Sequence, residues 1–137
     1  MRYLILVISL AVTSMLPLSA AAQSRAELLR ELEGTWRWTT PDGCVVTRTF
    51  RADGTSRTFN GKKTTESTIA PRFDQGLGAR LYVQVITKDE GGRDCDGESS
   101  DTTGNRYLAF FGVSMFKREF KLCIDPGMTA CHAYRKQ

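Results

Sequence analysis

The sequence has a single histidine, only a small excess of positive charge, and no long apolar run after its first residues. With His132 alone, metal sites built from several histidines are excluded, and a histidine-dependent catalytic triad has one candidate base. The formal net charge is +4, of which Arg2 contributes one, and this mixed charge argues against a nucleic-acid surface. No motif places a nucleophile, so we expect no enzymatic activity, no cofactor and no bound metal.

Residues 1–22 have the pattern of a cleaved export signal. Arg2 gives a positive start, residues 3–16 form an apolar core, and residues 20–22 are the small alanines that a signal peptidase accepts. The apolar core is shorter than the roughly 20 residues needed to cross a bilayer, and Pro17 follows it, so we expect no membrane anchor. The mature domain, 23–137, is then a periplasmic or secreted protein in an oxidising compartment.

The mature chain predicts one short helix followed by strands. Ser24 and Glu27 have the spacing of a capping box, and Gly34 marks the end of the helix. Beyond Gly34 the apolar residues alternate, and turn-forming clusters interrupt them. We predict eight strands, near residues 35–40, 44–51, 54–59, 62–69, 79–88, 106–113, 116–124 and 129–135. Without an internal repeat or linker, these strands predict one all-β domain, an eight-stranded antiparallel β-barrel, with a β-sandwich as the alternative.

Alternation assigns the faces of the seventh predicted strand. It places one charged residue, Arg118, on the core side, together with Phe116, Phe120, Leu122 and Ile124. A buried guanidinium needs an anionic or carbonyl partner, so Arg118 is a candidate ligand-binding residue. The alternative is that Arg118 lies at the barrel rim, where its guanidinium reaches water.

The four cysteines predict two disulfides. If the last hairpin turns about Gly127, Cys123 faces Cys131 on the outer face of the sheet, and Leu122 faces His132. Cys44 is then left to pair with Cys95. Four cysteines allow three pairings, and the spacing alone does not choose among them.

The segment 32–36 resembles the Gly-x-Trp opening of lipocalin-like (calycin) barrels, and residues 49–55 and 134–136 are similar to later strands of small exported members. In that superfamily a short helix closes one barrel end, and a basic residue of the last strand stacks over the opening tryptophan. The resemblance therefore implies structural roles for Gly34, Trp36 and Arg135, with Arg135 over the Trp36 ring.

A second resemblance is to small periplasmic inhibitors of secreted metalloproteases, which are also eight-stranded barrels. Leu32, Gly34, Trp36 and Cys44 match their opening. This resemblance implies an inhibitor of a secreted or periplasmic enzyme.

The remaining candidate site residues lie on strands or in one charged loop. His132 and Tyr134 share the predicted inner face, and Tyr107 is a further polar candidate, so these three join Arg118 as predicted ligand-binding residues. The loop 88–101 carries six carboxylates but lacks calcium-loop spacing, and we interpret it as a solvated loop held by Cys95. It opposes a basic stretch that we predict at the surface, composed of Arg48, Arg51, Arg57, Lys62 and Lys63.

Taken together, these features predict an exported, monomeric, non-enzymatic barrel that binds a small molecule or a protein partner. An enzyme inhibitor is the alternative. An open apolar cavity would favour the first prediction. A filled barrel with an exposed apolar patch, near residues 73–77, would favour the second.

Overall fold

The computed structural model describes residues 23–114 and 116–137. The predicted export signal, 1–22, lies outside the described residues. The elements in chain order are α1 (Arg25–Leu32), β1 (Gly34–Thr39), β2 (Val45–Phe50), β3 (Thr55–Asn60), β4 (Lys63–Asp74), β5 (Ala79–Asp89), β6 (Arg106–Val113), β7 (Glu119–Cys123) and β8 (Cys131–Lys136).

The eight strands form a closed antiparallel barrel in which each strand pairs with its sequence neighbours and β8 pairs with β1. Because β8 pairs with β1, neither end strand is left unpaired. The predicted barrel is therefore confirmed, and the alternative β-sandwich is excluded. β4 is longer than predicted, because it continues through Pro71, which pairs opposite Tyr82, to Asp74. Among the described residues, no helix is both long and apolar enough to cross a membrane.

Helix α1 closes one end of the barrel. Its capping box is formed as predicted, since the Ser24 hydroxyl accepts from the Glu27 backbone and the Ser24 backbone donates to the Glu27 carboxylate. Its buried face consists of Leu28, Leu29 and Leu32. These leucines join the core cluster that fills this end of the barrel, with Trp36, Phe50, Ile69, Tyr82, Phe111 and Phe120.

The predicted tryptophan lies near the start of β1, but the cation over its ring is not the predicted one. Trp36 is fully buried, and its Nε1 donates to the Leu32 carbonyl at 2.7 Å. Lys136, not Arg135, lies over the Trp36 ring, with Nζ 5.1 Å from the ring centroid. Alternation along β8 explains this correction, because buried Tyr134 sets the inner face and Arg135 therefore points outward. Gly34 has φ +125°, and a Cβ there would lie 2.8 Å from the Lys136 side chain.

The last hairpin has the predicted register, with Cys123 opposite Cys131, Leu122 opposite His132 and Phe120 opposite Tyr134. The predicted disulfides, Cys44–Cys95 and Cys123–Cys131, are both formed. Two disulfides are typical of proteins in oxidising, exported environments.

The start of β7 corrects the predicted inner face. The strand begins at Glu119, so Phe116 and Arg118 precede it in an exposed turn, where the Ser114 hydroxyl accepts from the Arg118 backbone. Ile124 follows the strand and is also exposed. Cys123 does face away from the barrel interior, but it is buried in a small outer cluster with Ala79, Leu81 and Phe110.

The loop 90–104 lies along the end of the barrel opposite α1. Its backbone pairs with the β3–β4 turn, through Lys62 to Arg93 and Thr64 to Gly91, and the Cys44–Cys95 disulfide attaches it to the chain before β2. Gly92 approaches this turn so closely that a Cβ would lie 2.1 Å from the Lys62 carbonyl oxygen. The loop is therefore held in place at three points.

Candidate functional site

The barrel interior has an apolar half and a polar half. The apolar half contains the core cluster next to α1. Beyond it, toward the loop 90–104, inward-facing positions carry polar side chains that are buried or partly buried: Arg48, Ser56, Thr58, Lys63, Thr65, Ser67 and Gln84. Buried polar groups cost free energy unless they are hydrogen-bonded, so the partners of each side chain are informative.

Arg48 lies at the boundary between the two halves. Its Nε donates to the Tyr134 hydroxyl at 3.1 Å, its Nη1 donates to the Gln84 Oε1 at 3.4 Å, and its guanidinium carbon is 5.7 Å from the Tyr134 ring centroid. No Asp or Glu side chain among the described residues forms a salt bridge with Arg48. Arg48 therefore brings an uncompensated positive charge into the barrel, since a guanidinium stays protonated at any ordinary pH.

A chain of hydrogen bonds continues from Arg48 across the barrel. The Gln84 amide donates to the Ser67 hydroxyl at 2.8 Å, and the hydroxyls of Ser67 and Ser56 are 3.1 Å apart. We call Tyr134, Arg48, Gln84, Ser67 and Ser56 the polar belt. The hydrogen bonds of the polar belt orient the guanidinium. They use only some of its five N–H donors, so the others are left for a further acceptor.

Two buried hydroxyls beside the polar belt have no protein partner. They are the Thr58 Oγ1 and the Tyr82 hydroxyl, in the part of the chain that the structure describes. Thr58 is directly opposite Arg48 in the β2–β3 register, and Tyr82 is 1 % exposed. Burial raises the pKa of Tyr82 to about 12, against the opposing effect of Arg48, so its hydroxyl keeps its proton and remains a donor at neutral pH.

These groups surround a cavity of about 260 Å³, which we call the inner cavity. Its polar wall residues include Arg48, Thr58, Lys63, Tyr82, Gln84, Asp94 and Tyr107. A second cavity of about 360 Å³, the rim cavity, shares Arg48 and Asn60 with it and is walled by Trp38, Asp42, Asp96, His132 and Tyr134. The wall of the inner cavity is mixed, because Ile86, Ala109 and Leu122 line it together with the polar side chains.

Lys63 and Asp89 form a buried ion pair at the edge of the inner cavity. The Lys63 Nζ is 3.0 Å from the Asp89 Oδ2, and the two side chains are 6 % and 2 % exposed. Thr102 donates to the same Asp89 oxygen through its backbone and its hydroxyl, and the Gly91 backbone donates to Oδ1. Lys63 is therefore neutralised by Asp89, whereas Arg48 forms no salt bridge with a described residue, and the Asp94 carboxylate also lies on the cavity wall.

The segment 88–101 was interpreted as a solvated loop, but its residue Asp89 is buried. The basic stretch was predicted at the surface, but Arg48 and Lys63 point into the barrel. The inward position of Arg48 could have been predicted from the sequence. Val46, Arg48 and Phe50 alternate along β2, so Arg48 has the same parity as two buried apolar residues.

The four predicted ligand-binding residues lie in different places. Tyr134 is buried and belongs to the polar belt, and Tyr107, 46 % exposed, lies at the mouth of the inner cavity. His132 lines the rim cavity and stacks on Trp38, with ring centroids 3.9 Å apart and planes 11° apart. Arg118 lies outside both cavities, in the turn before β7.

The protein is thus a closed eight-stranded antiparallel barrel with an inner cavity of mixed polarity, and Arg48 on the wall of that cavity forms no salt bridge with a described residue. Comparison of the chain with protein-family models, curated proteins and solved structures gave no match. Among the described residues, no cluster of three or more His, Cys, Asp or Glu side chains is placed to hold a metal ion.

Proposed function

We propose that this protein is an exported, non-enzymatic binding protein that holds a small organic anion inside its barrel, with the anionic group on Arg48. The observation that carries the proposal is an arginine without an acidic partner, next to two buried hydroxyls without partners, at the wall of one cavity. A carboxylate placed there would accept from the guanidinium, in a cavity whose wall also contains Tyr82 and Thr58.

The size of the inner cavity supports a small ligand. Its volume of about 260 Å³ is slightly below the roughly 300–1,000 Å³ of typical ligand pockets. The apolar half of the barrel is filled by side chains, so the binding space is confined to the polar half. This arrangement suits a small lipocalin-like barrel of the periplasm that carries a compact, charged compound.

The test is calorimetric titration of the purified, disulfide-bonded protein with acetate, benzoate and the neutral analogue benzamide at constant ionic strength. We expect an anion to bind in the millimolar range or tighter and benzamide to bind at least tenfold more weakly. In Arg48→Met the anion affinity should fall at least tenfold. Arg37→Met, which removes an exposed arginine of β1, is the matched control and should keep the affinity within about twofold.

Thermal unfolding distinguishes lost binding from lost folding. Without ligand, Arg48→Met should be at least as stable as the natural protein, because the substitution removes a partly buried, uncompensated charge. Anion binding that is unchanged in a folded Arg48→Met protein, or the absence of binding by every anion of the series, would overturn the proposal.

The second candidate function is inhibition of a secreted or periplasmic enzyme, in line with the resemblance to metalloprotease inhibitors. It is favoured by the tip of the β4–β5 hairpin, where Phe73 and Leu77 are 39 % and 53 % exposed. This apolar tip is separate from both cavities, so Arg48→Met would leave inhibition by the hairpin unchanged.

A further inference from the structure

We propose that the anion is an aromatic monocarboxylate, whose carboxylate binds Arg48 and whose ring lies in the rim cavity against Trp38. This inference rests on the proposed function and adds the chemical class of the ligand. Three observations carry it: the continuity of the cavities, the aromatic wall of the rim cavity and the charge at the rim.

The two cavities meet at Arg48. Arg48 and Asn60 line both of them, so a ligand group bound to the guanidinium from the inner cavity has the rim cavity directly beside it. In the β1–β2 register, Trp38 is opposite Val46, which is one inward-facing position further toward the open end than Arg48. The Trp38 indole therefore lies one inward-facing position along from Arg48. A ring attached to a carboxylate on Arg48 is short enough to lie beside this indole.

The wall of the rim cavity is aromatic. Trp38 stacks on His132 and is 6.1 Å from the Tyr134 ring, centroid to centroid, while Tyr134 also lies below the Arg48 guanidinium. These three rings occupy inward-facing positions at the mouth of the barrel. A planar ring gains from offset or edge-to-face contact with such a wall beyond what its buried area provides.

The charges of the rim cavity set the orientation of the ligand. Asp42 and Asp96 line it, and a hydrogen bond from the Thr40 hydroxyl lowers the pKa of Asp42, which keeps this carboxylate ionised. A second anionic group at the outer end of a ligand would be repelled by these carboxylates. The rim cavity therefore favours an uncharged ring at the outer end of the ligand, while the carboxylate of the ligand binds the Arg48 guanidinium.

The test compares phenylacetate with cyclohexylacetate, which has the same length and charge but no aromatic ring. Burial of apolar area alone does not favour phenylacetate, because the cyclohexyl group is the more hydrophobic of the two. By calorimetric titration we expect phenylacetate to bind about fivefold more tightly, which corresponds to one favourable ring contact. The dianion 1,4-phenylenediacetate should bind at least tenfold more weakly than phenylacetate.

Trp38→Leu tests the residue that we assign to the ring. This variant should bind the two monocarboxylates with equal affinity, and phenylacetate should quench tryptophan fluorescence in the natural protein but not in Trp38→Leu, because the other tryptophan, Trp36, is buried beside α1. Phe59→Leu, which removes an exposed ring, is the control and should keep the preference.

The outcomes separate the two proposals. Equal affinity for the two acids in the natural protein, or a preference that survives in Trp38→Leu, overturns the aromatic assignment. If binding then still depends on Arg48, the proposed function stands without it. If no carboxylate binds, both proposals fail.

Discussion

At the level of single residues, Lys63 and Arg48 are two inward-facing cations with different partners. Lys63 is paired with Asp89, whose oxygens also accept from Thr102 and Gly91. Arg48 has only neutral partners, Tyr134 and Gln84. A buried pair with satisfied hydrogen bonds holds structure in place, whereas a cation without a counter-charge is suited to an external anion.

The buried pair makes stability depend on pH. Burial raises the pKa of Asp89, but hydrogen bonds from Thr102, Gly91 and Lys63 outweigh burial and hold the pKa well below its usual range. The carboxylate therefore contributes stability that is complete above about pH 4, where the unfolded chain is also ionised, and that is lost as the pH falls further. Asp89→Asn should lower the free energy of unfolding by about 3 kcal/mol at pH 7, and the difference should shrink toward pH 2.

Urea unfolding between pH 2 and pH 7 measures this difference. Asp96→Asn, which changes an exposed carboxylate in the loop after β5, serves as the control and should follow the natural protein at each pH. A constant difference between Asp89→Asn and the natural protein across this range would contradict the assignment of the pH dependence to Asp89.

At the element scale, the two disulfides restrain very different lengths of chain. Cys44 and Cys95 are separated by 51 residues and attach the loop 90–104 near the rim cavity, whereas Cys123 and Cys131 are separated by 8 residues within one hairpin. The hairpin is already held by strand pairing between β7 and β8. The loop has no strand of its own, so its position over the cavities depends more strongly on its disulfide.

The chain entropy of the unfolded state predicts which disulfide stabilises the protein more. Closing the longer loop contributes about 4 kcal/mol and closing the shorter one about 2.5 kcal/mol. The double variant Cys44→Ala/Cys95→Ala should therefore lose more stability in urea unfolding than Cys123→Ala/Cys131→Ala. A larger loss in the hairpin variant would show that packing of Cys123 in its outer cluster outweighs loop closure.

In the molecule as a whole, the apolar half of the barrel stabilises the fold, and the polar half contains the proposed binding site. Around fully buried Phe120, the rings of Trp36, Phe50, Phe111 and Tyr134 lie 5.5 to 6.5 Å away, centroid to centroid. This apolar half has few ways to relax around a void. The polar half already contains the inner cavity, so space can be added there at lower cost.

Two substitutions on the inner face of β7 test this division. Phe120→Ala should cost about 4 kcal/mol, a large part of the roughly 5–15 kcal/mol available to a small domain. Leu122→Ala, at the wall of the inner cavity, should cost about 1–2 kcal/mol because it enlarges an existing cavity. Equal losses in chemical denaturation would contradict the division into two halves.

Most of the fold follows from local patterns. Alternation and turn clusters predicted the eight strands, Ser24 and Glu27 predicted the helix start, and the hairpin about Gly127 predicted the register that joins Cys123 to Cys131. Where alternation was extended beyond a strand, as at Phe116, or replaced by a resemblance, as at Arg135, the prediction was wrong. The face of a residue follows parity only within the paired strand.

Local sequence patterns are enough to place the strands and the helix cap, because backbone geometry and turn chemistry act over a few neighbours. The closure of the sheet into a barrel, the pairing of Lys63 with Asp89 and the lack of a salt bridge between Arg48 and any described carboxylate follow from the tertiary structure. These are relations between residues far apart in the chain, and barrel closure determines them. The unpaired charge on which binding is proposed to depend is therefore a property of the closed barrel.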